Sequence, residues 1–338
     1  MILVLNCGSQ SLKWKLFDKD FKLIKKNKLE ILDSNKYEEG IKEELLKLKD
    51  DKIDLIGHRV VHGKDIFRDS VRITDEVVSK LESLSYLAPL HNPFNVLGII
   101  ACSNVFNGVT QVAVFDTEFF KDLPEHAYTY ALPKEIVKEF GYRRYGFHGI
   151  SHEYVAKKAS EIIKKPFEKL KIITCHLGGG SSVTAIKNGK AVDTSMGFTP
   201  MQGLVMMTRA GDMDFGIVLE LAQKLGLEKT NEILNKESGI KGICGNGEML
   251  EVLKKVEAGD QKAKLAFDVF VYSIKKYIGA YYAILGGCDV LVFTGSIGSG
   301  LEITRNTICK DLDILKKTKV LAIETDEELA IAQKIINI

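Results

Sequence analysis

Two short stretches of this sequence repeat one pattern, in which an apolar run leads into a turn of small polar residues and then into an alternating run. The first is MILVLNCGSQSLKWKLFD at residues 1–18, and the second is KIITCHLGGGSSVTAIK at residues 171–187. Asn6 and His176 hold corresponding places in them, about half of the 338-residue chain apart. A strand–turn–strand unit repeated at half-chain spacing predicts two similar domains.

Both turns consist of residues that are suited to binding an anion. Glycine lets the backbone approach a ligand closely, and backbone N–H groups and serine hydroxyls donate to anionic oxygens. A plain hairpin turn uses the same residues, so either turn alone indicates only a hairpin. Two such turns facing each other across a cleft would hold the phosphates of one nucleotide between them.

The composition restricts the classes of partner. Apolar residues make up 45% of the chain and charged residues 27%, and the net charge is +2. These values are typical of a soluble globular protein and predict neither a nucleic-acid nor a membrane partner. The six cysteines are dispersed, which favours reduced thiols over disulfides or a zinc site. Because no apolar run reaches membrane-spanning length and no signal segment is recognisable, we expect a cytoplasmic location.

Predicted strands and helices alternate along the chain, which indicates an α/β architecture. We expect an N-terminal domain at residues 1–146 and a C-terminal domain at residues 147–338. Thr325 and Glu328 have capping-box spacing and predict the start of the last helix. That helix, at about residues 325–338, is expected to pack back on the N-terminal domain.

Six polar residues stand in turns after apolar strands or in tight loops: Arg59, His91, Asp116, His148, His176 and Arg209. Single residues of this kind are often structural, but the end of a buried strand is also where α/β folds place their sites. Arginines offer forked donors to carboxylate or phosphate. Together with two candidate phosphate turns, this set indicates phosphoryl transfer, which needs positive charge, backbone donors and carboxylates for Mg2+.

Other chemistries are less well supported by the sequence. Two histidine pairs have the i, i+4 spacing that can bind zinc on a helix: His58 with His62, and His148 with His152. The first pair follows a strand, the second begins before Ser151, the expected helix cap, and neither has an HExxH glutamate. Cys175 and His176 are neighbours on a strand and point to opposite faces, which disfavours a thiol dyad.

At this point the sequence resembles the acetate kinase family, part of the sugar kinase/heat-shock protein/actin superfamily. Matching stretches span almost the whole chain in order, among them NCGSQSLK (6–13), GHRVVHG (57–63), YGFHGISH (145–152), ITCHLGGGSS (173–182), GLVMMTRAGD (203–212) and DEELAIA (326–332). The resemblance implies an α/β fold of two similar actin-like (ribonuclease H-like) domains around a central cleft. It also implies a cytoplasmic homodimer that uses Mg2+, or Mn2+, to transfer a phosphoryl group between ATP and acetate, giving acetyl phosphate and ADP.

The resemblance also assigns roles to matching positions of this chain. The catalytic residues would be Asp116, His148, His176, Arg209 and Arg59. The residues that bind the acyl substrate would be Arg59, Val61, Leu90, His91, Phe147 and Pro200. The phosphates and the nucleotide would contact Asn6, Ser9, Ser11, Lys13, His176, Gly178, Gly179, Gly180, Glu248, Gly295, Ser296 and Gly298. The metal would be held by Asn6 and Glu327.

Departures from the family pattern cluster on the nucleotide side. Gly179 replaces an asparagine of the family's HLGNG, and SIGSG at residues 296–300 stands where the family has GIGEN. The chain is also several tens of residues short of the usual length, with losses between residues 18 and 53 and between 300 and 320. Three alternatives therefore stay open: pyrophosphate or another donor in place of ATP, propionate as the main acyl substrate, and a non-catalytic nucleotide-binding module.

Overall fold

The computed structural model describes residues 1–8, 11–31, 37–89 and 91–338. These residues form two compact units, each built around its own β-sheet. The first unit comprises Met1–Lys121, Phe147–Tyr154 and Asp326–Ile338, and the second comprises Asp122–Gly146 and Val155–Thr325. The first unit therefore includes two later segments of the chain, and one of them is the last helix that was expected to pack on the N-terminal domain.

The first unit contains a six-stranded sheet in the order β3-β2-β1-β4-β6-β5. Its strands are β1 (Ile2–Gly8), β2 (Ser11–Phe17), β3 (Leu23–Glu30), β4 (Leu55–Val60), β5 (Val71–Arg72) and β6 (Thr110–Phe115). The first three strands form an antiparallel meander, and β4 and β6 run parallel to β1. Three helices of this unit are α1 (Tyr37–Leu46), α2 (Asp75–Ser83) and α3 (Asn92–Val105).

The second unit contains a five-stranded sheet in the order β11-β10-β7-β8-β9. Its strands are β7 (Lys171–Leu177), β8 (Ser181–Lys187), β9 (Lys190–Thr194), β10 (Val290–Thr294) and β11 (Lys319–Ala322). Again an antiparallel meander is followed by two strands parallel to its first member. The repeated strand order confirms the α/β class with two similar domains, and the sequence repeat at β1–β2 and β7–β8 marks the start of each sheet.

Most helices follow the first unit's α3 in the chain. They are α4 (Glu125–Tyr128), α5 (Lys134–Phe140), α6 (Gly149–Ile163), α7 (Phe215–Leu225), α8 (Leu227–Glu232), α9 (Gly239–Cys244), α10 (Met249–Glu257), α11 (Gln261–Leu285), α12 (Gly295–Gly298), α13 (Glu302–Cys309) and α14 (Glu327–Ile335). The longest, α11, begins where the Asp260 side chain accepts from Lys262 and Ala263 N–H and ends at Gly286, whose φ is +64°. Its apolar face forms the core of the second unit.

The segments that return to the first unit are held there by buried contacts. Alternate residues of β1 point to opposite faces of the sheet: Leu3 and Leu5 pack with α1 and α3, while Ile2 and Val4 pack with α14. Ile150 of α6 joins the α14 side of this core. Burial of these apolar surfaces explains why residues 147–154 and 326–338 group with the first sheet.

Among the described residues, no helix is long and apolar enough to cross a membrane. All six cysteines are free thiols, and four of them are buried. Their burial in the two apolar cores accounts for the dispersed spacing noted in the sequence.

Candidate active site

In the first unit, Arg59 and Asp116 meet at the carboxyl edge of the sheet. Arg59 lies near the end of β4 and Asp116 directly follows β6, so both side chains reach the edge where parallel strands end. The contact is bidentate: Arg59 Nε donates to Asp116 Oδ1 at 2.9 Å and Nη2 to Oδ2 at 2.7 Å. The guanidinium Nη1 also lies 3.2 Å from Glu327 Oε2 and donates to Asn6 Oδ1 at 3.4 Å. Four predicted site residues are thus brought together, and we call them the Arg59 cluster.

Glu327 reaches the Arg59 cluster because α14 packs tightly on β4. A Cβ at Gly57 would lie 2.6 Å from Ile331 Cγ2, so glycine is required for this close approach. The helix is capped by Asp326, whose carboxylate accepts from Leu329 N–H at 2.9 Å. Thr325, the cap expected from the sequence, lies one residue too early. The first turn of α14 therefore presents Glu327 to the arginine.

The surroundings of Glu327 favour its protonated form. Burial raises the pKa of the Glu327 carboxyl, Arg59 opposes this, and the neighbouring carboxylates of Asp116 and Glu328 add to the increase. Asn6 Nδ2 donates to Glu327 Oε2 at 3.4 Å.

Carboxylate and amide oxygens are the ligands that Mg2+ prefers, and Mg2+ is commonly held by one or two carboxylates together with substrate phosphates. Asn6 and Glu327 fit such a site.

His148 directly precedes α6, and its backbone is in the left-handed region with φ of +58°. This conformation is strained for a residue other than glycine, and such strain is often found at functional sites. The next residue, Gly149, donates its N–H to the Asp116 backbone carbonyl at 2.9 Å, and a Cβ there would overlap that oxygen. His148 is therefore held beside Asp116. The helix begins at Gly149, so Ser151 is inside it and does not cap it as expected.

Apolar side chains and buried amides line the neighbouring region of the first unit. Val61 and Phe147 are almost fully buried, and the Phe147 ring packs edge-on against His62 at 5.2 Å between centroids. Asn95 accepts from Val61 N–H at 3.2 Å and donates to the Cys7 carbonyl at 2.7 Å. This buried amide ties the end of β4 to the end of β1. The sequence did not indicate this role of Asn95, which lies shortly after the LHNP stretch.

Two of the predicted first-unit residues, Ser9 and Leu90, lie outside the described residues. His91 precedes α3, and its carbonyl accepts from Phe94 and Asn95 N–H. Ser11 and Lys13 lie on β2, with Lys13 directly opposite Asn6. The Lys13 charge is one of the influences that lower the pKa of Glu327. Of these residues, Lys13 lies beside the Arg59 cluster, on the strand next to Asn6.

In the second unit, the turn after β7 and α12 after β10 lie side by side. Gly178 N–H donates to the Gly180 carbonyl at 3.1 Å, and a Cβ on Gly178 would lie 3.5 Å from Ser296 Oγ. Gly295, with φ of +79°, passes so close to the Leu177 carbonyl that a Cβ would be 2.5 Å from it. Residues 295–298 form one helical turn.

Not every predicted nucleotide residue joins this group. Gly179 has open space where a side chain would be, and His176 pairs with Ser182 at the end of β7. Glu248 precedes α10, and its N–H donates to Asn246 Oδ1. Within the described ranges, Glu248 makes no hydrogen bond or ion pair with the residues beside α12. The adenine-side role assigned to Glu248 therefore stays a prediction.

Arg209 also belongs to the second unit, in the loop between β9 and α7. Its Nη1 donates to the Pro200 carbonyl at 3.2 Å and approaches Met206 Sδ at 3.9 Å. Burial lowers the pKa of the Arg209 guanidinium. In the part of the chain that the structure describes, Arg209 has no acidic partner. A largely buried cation with only neutral contacts is costly, and an anionic ligand would compensate it.

The Arg209 loop is closed by Asp212, a residue that sequence reasoning did not single out. Asp212 Oδ1 accepts from Gly203 N–H at 3.0 Å, and Oδ2 accepts from the Tyr277 hydroxyl of α11 at 2.7 Å. Asp212 N–H in turn donates to the Gly203 carbonyl at 2.9 Å. The base of the loop is thereby fixed to the long helix, which restricts where Arg209 can point.

The two units share one strand order, and each places polar residues at the carboxyl ends of its central strands. This is the arrangement of proteins with two actin-like domains, and the chain has that fold. A putative N-acetylmannosamine kinase from Listeria monocytogenes shares the fold at 11% identity, with a TM-score of 0.53 over 99% of this chain and 98% of that one.

The chain belongs to the Acetokinase family, which matches residues 21–335. Members are kinases that use ATP or ADP and transfer a phosphoryl group to or from a small carboxylate. The acetate kinase of Dictyoglomus thermophilum is 44% identical over 100% of this chain and 98% of its own length. That alignment has 393 positions for the 338 residues of this chain, which confirms that the chain is short for its family.

Solved structures of the family agree with the fold. An acetate kinase from Porphyromonas gingivalis is 39% identical, with a TM-score of 0.89 over 99% of this chain and 98% of that one. A propionate kinase from Francisella tularensis is 37% identical, with a TM-score of 0.90 over 100% and 99%. The similarity therefore includes relatives named for two different acyl substrates.

Proposed function

We propose that this chain is a Mg2+-dependent acetate kinase that reversibly transfers the γ-phosphoryl group of ATP to acetate. The observation that carries the proposal is the similarity to acetate kinases over the whole chain, at 41% to 45% identity. The uncompensated guanidinium of Arg209 and the carboxylates of the Arg59 cluster support it. They are the positive charge and the metal-binding groups that phosphoryl transfer requires.

In the proposed reaction, one oxygen of the acetate carboxylate attacks the γ-phosphorus of ATP. The bond from that phosphorus to the bridging oxygen breaks as the new P–O bond forms, and ADP leaves with the bonding electron pair. Arg209 would bind the negatively charged phosphoryl group, whose charge would compensate that of the guanidinium. His148 and His176 would donate N–H groups to the equatorial oxygens, where negative charge is spread in the transition state.

The Arg59 cluster would hold the metal ion and fix the positions of its own carboxylates. Because Asp116 already occupies two donors of Arg59, this arginine has limited capacity for a further anion. We propose that Arg59 chiefly fixes Asp116 and Glu327 and contributes only its remaining N–H to the substrate. Asn6 and Glu327 would hold Mg2+, which supplies charge neutralisation at the phosphates. Val61 and Phe147 of the first unit would contact the acetate methyl group.

A phosphoryl donor without adenosine is the second candidate, and two observations favour it. Arg305 Nη1 donates to the carbonyls of Gly298 and Ser299 at 3.0 Å and 2.7 Å, so these loop carbonyls are already occupied. Ser296 also stands close to the Gly178 turn. Both features reduce the space and the number of free hydrogen-bond acceptors that residues 296–300 offer to the adenosine of ATP. Pyrophosphate would need neither.

One assay tests the donor and the acid together. Acyl phosphate is trapped as the hydroxamate with Mg-ATP or Mg-pyrophosphate as donor and acetate or propionate as acceptor. We expect product with ATP and acetate, and a modest loss with propionate, because one methylene changes binding by about 1–3 kcal/mol. Product with pyrophosphate alone would replace the ATP assignment, and no product with any pair would contradict the proposed activity.

We also propose that the enzyme acts in the cytoplasm as a homodimer. Helix α7 has no buried residues, and Phe215, Leu219 and Leu227 in and beside it are 84%, 64% and 79% exposed. An apolar surface of this kind commonly marks a protein interface. Light scattering after gel filtration should give twice the 37.6 kDa chain mass, and Leu219→Lys should reduce it to one chain. A wild-type monomer at micromolar concentration would contradict the dimer.

A further inference from the structure

A groove of about 410 Å3 lies in the first unit, on the face of the β2–β3 ribbon that is shared with the start of α14. Its lining residues are Lys13, Trp14, Lys15, Lys26, Asn27, Lys28 and Glu328. Four of the seven are lysines. The groove takes in Lys13, which stands opposite Asn6, and continues outward along β3.

The four lysines form two rungs of like charge across the ribbon. Lys13 pairs directly with Lys28, and Lys15 pairs directly with Lys26. Residues directly opposite each other share a face, and like charges in that position destabilise a sheet. The rungs are two residues apart along the strands, or about 7 Å. The ribbon therefore concentrates positive charge at a cost in stability.

Local carboxylates neutralise only part of this charge. Lys15 is paired with Asp326 at 2.7 Å and with Glu328 at 3.4 Å. Lys28 contacts Glu30 at 2.7 Å, but both side chains are more than half exposed, and pairs of that kind contribute little. Among the described residues, neither Lys13 nor Lys26 has a carboxylate within ion-pair distance, although the Lys13 charge acts on Glu327.

Protection of a sheet edge does not account for the arrangement. Lysines on an edge strand discourage unwanted pairing with another chain, and β3 is an edge strand. However, Lys13 and Lys15 lie on β2, which is paired on both sides. Edge protection would not require lysines there, directly opposite those of β3.

We propose that this groove is a binding subsite for a condensed phosphate, with Lys26 and Lys28 holding the phosphates farthest from Lys13. The four lysines that share one face of β2 and β3 and line the groove carry this assignment. Lysine side chains are long enough for one phosphate to be contacted from both rungs, but a chain of phosphates can engage the four lysines through separate phosphate groups. The groove goes beyond the proposed transfer reaction, because that reaction uses no residue of β3.

Tripolyphosphate is the probe, and its binding to the full chain is measured by titration calorimetry at low ionic strength. The test variant is Lys26→Gln/Lys28→Gln, which removes two charges and retains side-chain length. Lys25→Gln is the matched control, because Lys25 is on the same strand, pairs with Leu16 and faces the opposite side. Thermal unfolding of each variant verifies that it is folded.

We expect the double variant to bind tripolyphosphate about five- to tenfold more weakly than the wild type, and Lys25→Gln to bind within twofold of it. Inorganic phosphate should bind much more weakly than tripolyphosphate. Equal affinity in the double variant, or no binding to the wild type, would overturn the proposal. Because binding is measured without turnover, these outcomes are independent of whether the chain makes acetyl phosphate.

Discussion

Arg59 and Arg209 lie in different units, and their guanidinium groups have opposite surroundings. Arg59 contacts two carboxylates and an amide oxygen, whereas Arg209 contacts a backbone carbonyl and a thioether. For Arg59, burial would lower the pKa, but Asp116 and Glu327 raise it above its ordinary value. For Arg209, burial acts alone and lowers the pKa. The Arg59 guanidinium is neutralised by carboxylates of its own unit, whereas the Arg209 guanidinium has no carboxylate beside it among the described residues.

This difference separates two tasks that the sequence assigns jointly to both arginines. A paired arginine holds its partners in place and has little charge left for a ligand. An unpaired, largely buried arginine gains most from a ligand that brings negative charge. We therefore expect substitutions at Arg209 to affect turnover most and substitutions at Arg59 to affect stability most.

Replacing Arg209 should have the largest effect of all. We expect Arg209→Ala to reduce kcat by about 10³-fold, because a donor to the transition state is lost. The Tm should not fall, since the variant removes a buried charge that has no acidic partner. Arg209→Lys should be intermediate, because it retains the charge and loses the forked geometry. Wild-type turnover by Arg209→Ala would reverse the comparison.

Replacing Arg59 should act mainly on folding. Removing one member of a buried ion pair leaves its partner uncompensated, so we expect Arg59→Gln to lower the free energy of unfolding by about 3 kcal/mol. Urea denaturation at neutral pH measures this change. The double variant Arg59→Gln/Asp116→Asn should recover part of the loss, because the stranded carboxylate is gone. If the single and double variants are equally stable, Asp116 does not depend on Arg59.

The support of the Arg209 loop should give a smaller effect. Tyr277→Phe removes the hydroxyl that donates to Asp212, and we expect kcat to fall about tenfold with little change in the KM for acetate. Asp212→Asn should behave similarly. Tyr272→Phe is the control, because Tyr272 lies on the same helix and is 67% exposed. Equal kcat values for Tyr277→Phe and Tyr272→Phe would show that the loop positions Arg209 without this contact.

The raised pKa of Glu327 in the Arg59 cluster should make the free energy of unfolding depend on pH. The pKa of Glu327 is raised above its ordinary value of 4.5, so the folded protein retains this proton longer than the unfolded chain. Its contribution to stability is complete below that value and is lost as pH rises through the folded pKa. Wild type should therefore lose stability relative to Glu327→Gln from pH 4.5 upward, measured by urea unfolding in EDTA. A constant difference would indicate an ordinary pKa.

The repeated architecture was predictable because its signals are local. Both hairpins are contained within fewer than twenty residues, and their apolar alternation gives strands β1, β2, β7 and β8 directly. Their recurrence at half-chain spacing was enough to predict two similar domains. The strand-end positions of Arg59, Asp116 and His176 followed from the same patterns.

The rest depends on contacts that no local pattern encodes. Arg59 and Glu327 are separated by most of the chain, so nothing near either residue shows that they pair. The grouping of residues 147–154 with the first sheet has the same origin, because Gly149 donates to Asp116 across more than thirty residues. The helix cap at Asp326 instead of Thr325 is a shift of one residue, within the usual error of such assignments.

The packing of α14 on β4 has a consequence for the order in which the protein forms during synthesis. Residues 326–338 leave the ribosome after every other described segment, yet they cover one apolar face of the first sheet and supply Glu327. Until then Val4, Val112 and Gly57 are open to other chains, and Arg59 has only Asp116 as its acidic partner. Contacts between distant segments form slowly, and exposed strands are prone to aggregation in the interval. The contacts that hold the Arg209 loop come from residues 200–277, so the nascent chain would complete that loop before the Arg59 cluster.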